Sequence, residues 1–367
     1  MTNSTVSLDD KYSIESGRIF VTGVQALARI PMVQRQRDVL EGLNTAGFIS
    51  GYRGSPVGGF DQQLWRAKKF LEQNHIRFQP GLNEDLAASA IWGSQQTNLH
   101  EGGKYDGVFA IWYGKGPGVD RCGDVFKHGN MSGPAKHGGV LLIAGDDHAA
   151  KSSTVPHQSE YAFMDASIPV LNPAGLQDIV DYGILGFAMS RFSGCWVAFK
   201  TTAENMDSSA SIDVSPDRVK ISLPKFDMPE GGLSIRWPDD WIEQEHRLHQ
   251  YKLNAVRAFA RQNKIDKTII NSQNPKLGVV TTGKSYLDVR QALEDLGIDE
   301  AKADKIGLRL YKVGMPWPLE PQGIDEFSQG LKEILVIEEK RPIIESQLKE
   351  HLYNHAPKNR PNVVGKY

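Results

Sequence analysis

Short, continuous apolar runs constrain the fold more than any other feature of this sequence. Residues 107–112 and 139–144 consist only of glycine and apolar residues, and each run has the length of a strand. Such runs are typical of strands covered on both faces, as in parallel α/β sheets. Helices predicted over residues 84–96 and 176–190 flank these strands, and a further strand is predicted at 195–200. The sequence therefore predicts one α/β domain from its start to about residue 212.

A second, smaller α/β unit is predicted in the last third of the chain. Four prolines and a Gly-Gly pair between residues 215 and 240 indicate an irregular connector, and an amphipathic helix is predicted from about residue 241 to 263. Three strands, at 277–281, 308–313 and 334–337, then alternate with helices at 286–296, 324–331 and 343–353. This alternation predicts a parallel sheet, and we expect the small unit to serve docking or assembly.

Composition and charge exclude several classes of function. The 367 residues include 42 basic and 44 acidic side chains, so no basic field exists to hold nucleic acid or anionic lipid. No apolar stretch approaches the roughly 18 residues that span a bilayer, and residues 1–11 lack an apolar signal core. Cys122 and Cys195 are the only cysteines, too few for a disulfide framework or a four-cysteine metal site. We therefore expect a cytoplasmic protein with reduced thiols.

One motif resembles a phosphate-binding loop but stands in the wrong context. Residues 278–285 read Gly-Val-Val-Thr-Thr-Gly-Lys-Ser, which matches the P-loop consensus. A P-loop needs its apolar strand before the first glycine, whereas residues 274–277 read Asn-Pro-Lys-Leu. Because the β-branched segment itself looks like the strand, we expect a strand-to-helix turn capped by Ser285 rather than a nucleotide site.

A second motif is similar to the one with which thiamine diphosphate enzymes hold magnesium. Gly145-Asp146-Asp147 is followed by Asn172, 26 residues after Asp146. The motif departs from the pattern because Asp147 replaces a glycine and a proline follows Asn172. Carboxylates that face a diphosphate without a metal would repel it, so we do not expect this segment to be the magnesium site.

Two pairs of histidines lie at helical spacing. His246 and His249 form one pair, and His351 and His355 form the other. Neither pair has an obvious third ligand in the sequence, so we expect both on solvated helix faces.

Two segments remain as candidate functional sites. Gly-Tyr-Arg-Gly-Ser-Pro at residues 51–56 follows a predicted strand, and ligands of parallel sheets bind at the carboxyl ends of strands. This loop offers backbone amides, the Arg53 guanidinium and the Ser55 hydroxyl, although a plain turn is the alternative. The second candidate is Glu84 at the start of a predicted helix, where the alternative is a carboxylate that offsets the helix dipole. The residues alone leave both alternatives open.

Taken in order, several segments resemble the indolepyruvate ferredoxin oxidoreductases, which belong to the thiamine-dependent 2-oxoacid:ferredoxin oxidoreductases. The resemblance runs from about residue 15 to 365 and corresponds to the N-terminal portion of that family. The segments that carry it are residues 51–56, 80–84 (Pro-Gly-Leu-Asn-Glu), 114–118 (Gly-Lys-Gly-Pro-Gly), 144–148 (Ala-Gly-Asp-Asp-His) with Ser152 and Ser153, 200–204 (Lys-Thr-Thr-Ala-Glu), 207–211, 280–289, 310–321 and 337–342.

The resemblance implies an α/β fold with particular domains. It implies a pyrimidine-type thiamine diphosphate-binding domain with a parallel sheet at residues 15–212 and a connector with an amphipathic helix at 213–275. A smaller transketolase C-terminal-like α/β domain is implied at 276–360. Asp146 falls inside the first domain, so the resemblance does not imply that Asp146 is the magnesium site.

The resemblance also implies roles for three residues. Glu84 matches the family's catalytic, cofactor-binding glutamate, whose carboxylate binds N1′ of the aminopyrimidine and favours the imino tautomer that deprotonates the thiazolium ring. Ser55 falls where relatives place a hydroxyl near the substrate carboxylate. Arg53 replaces a proline that is common in relatives, and we interpret it as a second contact to that carboxylate. No metal ligand is implied in this chain.

The activity of the family implies parts that this sequence lacks. Oxidative decarboxylation of an aryl 2-oxo acid such as indolepyruvate gives acyl-coenzyme A and sends electrons to ferredoxin. The magnesium- and diphosphate-binding motif and the iron–sulfur clusters belong to further domains or to a partner subunit. We therefore expect an oligomer in which this chain supplies one wall of a shared thiamine diphosphate site and is inactive alone. The alternative is a non-catalytic assembly or regulatory protein derived from such an enzyme.

Overall fold

The computed structural model of the chain describes residues 6–150 and 155–367. Ser152 and Ser153 lie outside the described residues, as do the first five residues of the segment predicted to lack a signal core. The strands of the described part form sheets of six, five and two strands. They are β1 (Arg18–Thr22), β2 (Ala46–Gly51), β3 (Ile76–Phe78), β4 (Val108–Lys115), β5 (Val140–Asp146), β6 (Val170–Leu171), β7 (Val197–Thr202), β8 (Ser209–Asp213), β9 (Lys267–Ile270), β10 (Leu277–Thr282), β11 (Leu308–Val313), β12 (Glu333–Ile337) and β13 (Asn362–Val364).

Helices connect most of these strands. They are α1 (Asp10–Ser13), α2 (Gly23–Leu40), α3 (Phe60–Arg66), α4 (Lys68–Gln73), α5 (Glu84–Gln95), α6 (Gly116–Arg121), α7 (Gly123–Ser132), α8 (Glu160–Asp165), α9 (Leu176–Ser193), α10 (Ala203–Met206), α11 (Trp241–Arg247), α12 (Leu253–Gln262), α13 (Gly283–Asp295), α14 (Glu300–Ile306), α15 (Pro321–Ser328) and α16 (Ile344–Tyr353). The helix predicted as continuous over 241–263 is interrupted by a π-helical turn at Leu248–Lys252. Among the helices of the described residues, none combines the length and apolar composition that crossing a membrane requires.

The six-stranded sheet is parallel throughout, with the strand order β3-β2-β4-β5-β7-β6. Its strands supply two separate cores. Leu141 and Ile143 of β5 belong to the core beneath α2 and α9, whereas Leu142 and Ala144 belong to the core beneath α5 and α7. Since helices cover both faces, successive residues of one strand are all apolar. The parallel α/β fold predicted from the apolar runs is confirmed.

The smaller sheet has five strands in the order β13-β12-β10-β11-β9. The three predicted strands are its centre, and two edge strands are added. The three predicted strands pair in parallel, as predicted, and β13 joins β12 in parallel, whereas the added edge strand β9 pairs with β11 in an antiparallel direction. The edge strands escaped prediction because they are only four and three residues long, too short to show a periodic pattern.

The P-loop-like segment is a strand-to-helix turn, as predicted, but its cap is a different residue. β10 ends at Thr282 and α13 begins at Gly283, so Thr282 occupies the N-cap position and Ser285 lies buried in the first turn. The assignment of Ser285 as the cap is therefore wrong. Gly283 has φ +52°, and a Cβ there would lie 2.5 Å from the Asn172 side chain, so both conformation and space require glycine.

Backbone hydrogen bonds join the two larger sheets. The Val170 N–H donates to the Trp317 carbonyl at 2.7 Å, and the Asn172 N–H donates to the Gly314 carbonyl at 2.9 Å. The N–H of Gly314 donates in turn to the carboxylate of half-buried Asp266 at 2.7 Å. The second unit is thus anchored on β6, the edge strand of the first sheet.

Candidate functional site

The segments that carry the sequence predictions meet at one edge of the six-stranded sheet. β2 and β4 run side by side with Gly51 opposite Tyr113, so their carboxyl ends lie together. The loop of residues 51–56 begins at this end of β2. The segment before Glu84 is tied to the same point, because the Gly81 N–H donates to the Gly51 carbonyl at 2.9 Å. This is the edge at which parallel sheets bind ligands.

Glu84 is the first residue of α5 and is half-buried. Asn83 caps the helix, with its side-chain oxygen accepting from the Leu86 N–H at 2.9 Å. The Glu84 carbonyl accepts a hydrogen bond from the indole of buried Trp112 at 3.1 Å, which fixes the backbone of the glutamate. A Cβ on Gly118 would lie 2.6 Å from Cγ of Glu84. Gly118, in the first turn of α6, therefore makes room for this side chain.

In the part of the chain that the structure describes, the Glu84 carboxylate forms no hydrogen bond or ion pair, although the Arg121 guanidinium is near enough to interact with it electrostatically. Its neighbour Asp85 pairs with Arg121 at 3.0 Å, so this guanidinium is already engaged. A half-buried carboxylate without a hydrogen bond has lost part of its hydration, and a hydrogen bond from a ligand would compensate for that loss. The arrangement leaves Glu84 free to accept a hydrogen bond from a ligand at the sheet edge.

Arg53 and Ser55 lie in an exposed loop that packs on the end of β4. A Cβ on Gly54 would lie 2.7 Å from the Lys115 side chain, so the loop approaches this strand closely. The Arg53 Nε is 3.3 Å from the carboxylate of buried Asp61, while the Arg53 side chain is 73% exposed. Its guanidinium is thus held at one end and remains accessible to a ligand at the other.

Asp146 belongs to a buried cluster of charges. Its carboxylate accepts hydrogen bonds from the N–H and the hydroxyl of Ser159, at 2.9 and 2.5 Å. It also lies 3.8 Å from the Lys200 ammonium, which is 2.5 Å from the Glu160 carboxylate. All three charged side chains are almost fully buried. The oxygens of Asp146 are thus occupied by protein groups, which gives this residue a structural role in the buried cluster.

Sequence reasoning missed the cluster of Lys200, Glu160 and Asp146. Burial disfavours the charged form of Lys200, yet its pKa is raised because the two carboxylates lie beside it. A cavity of about 20 Å³, the size of one water molecule, adjoins the cluster and is lined by Glu160 and His148. The signal in the sequence was Lys200 itself, a cation that directly follows the apolar run at residues 195–199, where burial requires a partner.

Comparisons with known proteins agree with the resemblance seen in the sequence. Residues 266–367 match the sequence model of the indolepyruvate ferredoxin oxidoreductase middle domain. Indolepyruvate oxidoreductase subunit IorA of Pyrococcus abyssi is 27% identical over 346 residues, which cover 90% of this chain and 47% of that protein. The Methanothermobacter thermautotrophicus subunit IorA is 25% identical over 340 residues, covering 91% and 48%. The chain thus spans about half the length of the curated relatives it matches.

Two solved structures share the fold. The 2-oxoglutarate:ferredoxin oxidoreductase of Magnetococcus marinus superposes with a TM-score of 0.66 at 15% identity, over 95% of this chain and 62% of that one. A split-gene transketolase, an inactive β4 tetramer, gives a TM-score of 0.53 at 12% identity, over 93% and 88%. The predicted fold class is confirmed: the chain shares the α/β fold of these two proteins, with a parallel-sheet domain followed by a smaller α/β domain. Together with the sequence matches, the shared fold supports the resemblance of this chain to the indolepyruvate ferredoxin oxidoreductases.

Proposed function

We propose that this chain forms the aminopyrimidine side of the thiamine diphosphate site in an aryl 2-oxoacid:ferredoxin oxidoreductase of the indolepyruvate type. The enzyme would convert a 2-oxo acid and coenzyme A to acyl-coenzyme A and carbon dioxide, with two electrons passing to ferredoxin. The observation that carries the proposal is the Glu84 carboxylate, positioned at the carboxyl edge of the sheet and without a hydrogen bond or ion pair to any of the described residues.

The residues at this edge fit the aminopyrimidine. Thiamine diphosphate, when bound, supplies the nucleophilic carbon and the electron sink of the reaction. Glu84 would hold the proton at the pyrimidine N1′, as a positioned general acid–base group. Trp112 fixes the backbone of Glu84, and Gly118 leaves space beside its side chain, so both act as positioning residues.

The substrate would be oriented by the loop of residues 51–56. The Ser55 hydroxyl can donate one hydrogen bond to the 2-oxo acid carboxylate. Arg53 can add a charge-assisted contact, because its exposed guanidinium is anchored only through Nε to Asp61. The domain limits of 15–212, 213–275 and 276–360 remain part of the proposal.

The rest of the site would come from further domains or from a partner subunit. The one segment that resembles a diphosphate motif is occupied internally, since Asp146 bonds to Ser159. Magnesium, the diphosphate and the iron–sulfur clusters would therefore be bound elsewhere in an oligomeric assembly. The surface at the edge is consistent with such a partner: Leu82 is 87% exposed, and Leu86 and Tyr52 are 52% and 43% exposed.

The proposal is tested by the mass of the native assembly and by its activity. We expect the chain in its source cells to have a mass well above 40.7 kDa, through covalent continuation or through a partner that carries iron–sulfur clusters. Indolepyruvate-dependent reduction of ferredoxin should be absent with the isolated chain and present with the assembly. A mass near 40.7 kDa without any partner would instead favour the non-catalytic assembly protein.

Arg53→Ala should raise the KM for the 2-oxo acid at least tenfold in the assembled enzyme. A charge-assisted hydrogen bond contributes about 1.5–3 kcal/mol, and its loss weakens substrate binding by about that amount. Steady-state kinetics with the 2-oxo acid varied at saturating coenzyme A measure the effect. Arg53→Lys is the matched control, because it retains the charge near Asp61 and should recover part of the loss. An unchanged KM for Arg53→Ala would remove the assigned role.

A further inference from the structure

Two histidines of α16 and its end meet an aspartate of the neighbouring helix α15. The His351 Nε2 lies 2.7 Å from Oδ1 of Asp325, and the His355 Nε2 lies 3.3 Å from the same oxygen. The two imidazole rings are 5.4 Å apart at an angle of 69°. The sequence showed no third ligand for this histidine pair, and the fold supplies one from 26 residues upstream of His351.

The backbones of these three residues are held by the core of the second unit. Ile324 precedes Asp325 and is fully buried, and Leu348 and Leu352 of α16 are buried in the same cluster. Their packing fixes α15 against α16 before any ion binds, so the ligand set is largely preorganised. The side chains of His351, His355 and Asp325 remain 29, 32 and 41% exposed, which gives an ion access from solvent.

The donor set has the chemistry of a transition-metal site. Zinc binds imidazole nitrogen at about 2.0–2.1 Å and carboxylate oxygen at about 2.0–2.2 Å, so donors around a tetrahedral ion are about 3.3–3.5 Å apart. The distance of 3.3 Å between His355 Nε2 and Asp325 Oδ1 already has this spacing. The distance of 2.7 Å between His351 Nε2 and the same oxygen would have to increase by only about half an ångström. Two imidazoles and one carboxylate favour Zn²⁺, Ni²⁺ or Cu²⁺ over the oxygen-seeking Mg²⁺ and Ca²⁺.

We propose that Asp325, His351 and His355 bind one divalent transition-metal ion, with Zn²⁺ as the reference ion and water in the remaining position. The ion links the C-terminal end of α16 to α15 and thereby stabilises the second unit. This site shares no residue with the proposed cofactor edge, so its test is independent of the function proposed above.

The site is tested with the full chain after removal of metals by a chelator. Titration with Zn²⁺, followed calorimetrically, should show one ion per chain with a Kd at or below about the micromolar range, and the melting temperature should rise. Mg²⁺ at the same concentration should leave the melting temperature unchanged. Co²⁺ should produce the visible absorption bands of a four-coordinate ion. Failure to bind Zn²⁺ would show that the three side chains form hydrogen bonds only.

Substitutions separate this site from adventitious binding. Changing an outer-shell partner of a metal ligand costs about 10–100-fold in affinity, so removing a ligand with His351→Gln should cost at least about 100-fold. Asp325→Asn and His355→Gln should also weaken binding. The matched control is the double variant His246→Gln and His249→Gln, which alters the exposed helical pair on α11 and the π-helical turn and should bind Zn²⁺ as wild type does.

The proposal would be overturned if the control double variant lost as much Zn²⁺ affinity as His351→Gln does. It would also be overturned if His351→Gln bound Zn²⁺ as wild type does. Urea unfolding without metal should give the same midpoint for all these variants, because the altered side chains are partly exposed. If His351→Gln failed to fold, His355→Gln, which lies beyond the last residue of α16, would serve as the deciding variant.

Discussion

Glu84→Gln should lower the turnover of the assembled enzyme by at least about 100-fold, within the 10²–10⁴-fold range of a positioned acid–base group. The amide has nearly the same shape and fits the space beside Gly118, but it cannot hold the proton that a carboxylate shares with N1′. Binding of the 2-oxo acid should change much less than turnover. Single-turnover measurements of carbon dioxide release at saturating cofactor separate the chemical step from binding.

The matched control for this variant is Glu72→Gln. Glu72 lies on α4 and makes a solvated ion pair with Lys68, with both side chains more than 60% exposed. The Glu72→Gln variant should keep turnover within twofold of wild type and should leave the unfolding midpoint unchanged. If Glu84→Gln also left turnover unchanged, the carboxylate would only offset the helix dipole, and the chain would fit the non-catalytic assembly protein.

Lys200→Met should destabilise the folded chain by about 3–5 kcal/mol. Removal of one partner from a buried ion cluster leaves uncompensated charge in the interior, and this cost exceeds the net value of the intact pair. Here Glu160 and Asp146 would both remain buried without the ammonium that lies between them. Urea unfolding of the isolated chain, followed by circular dichroism, measures the change.

A second substitution distinguishes charge from packing. In Lys200→Met with Glu160→Gln the uncompensated charge at Glu160 is removed, so a substantial part of the lost stability should return. Lys68→Met removes an exposed partner of Glu72 and should change the free energy of unfolding by less than about 0.5 kcal/mol. If the double variant were no more stable than Lys200→Met, lost packing of the lysine stem would explain the effect.

Patterns with a local cause could be predicted from the sequence. The strand at Leu308–Val313 has the predicted bounds, and the helix that begins at Glu84 starts where predicted. In each case neighbouring residues decide the structure: an unbroken apolar run in the first, and an asparagine cap before small residues in the second. Glu84 could also be singled out from its segment, although the role of Gly118 beside it could not.

Features that join distant residues could not be predicted from one sequence. Lys200 meets Glu160 from 40 residues away, and Asp325 meets His355 from 30 residues away. Neither pair leaves a periodic signal, because the contact depends on how two elements pack rather than on local propensity. The misplaced cap at Ser285 has a different origin. The strand was predicted to end at residue 281, one residue early, and element boundaries are the least certain part of such predictions.

The hydrogen bonds between β6 and the second unit bear on how this chain can be recombined with its relatives. The matched family region starts at residue 266, which suggests a natural cut for chimaeras. A cut there would separate Val170 from its partner Trp317 and Asn172 from Gly314, leaving four backbone groups of the interior exposed or mispaired. Exchange of the second unit alone would therefore disrupt these backbone hydrogen bonds between the two units. A productive crossover has to carry β6 and the helix that follows it together with residues 266–367.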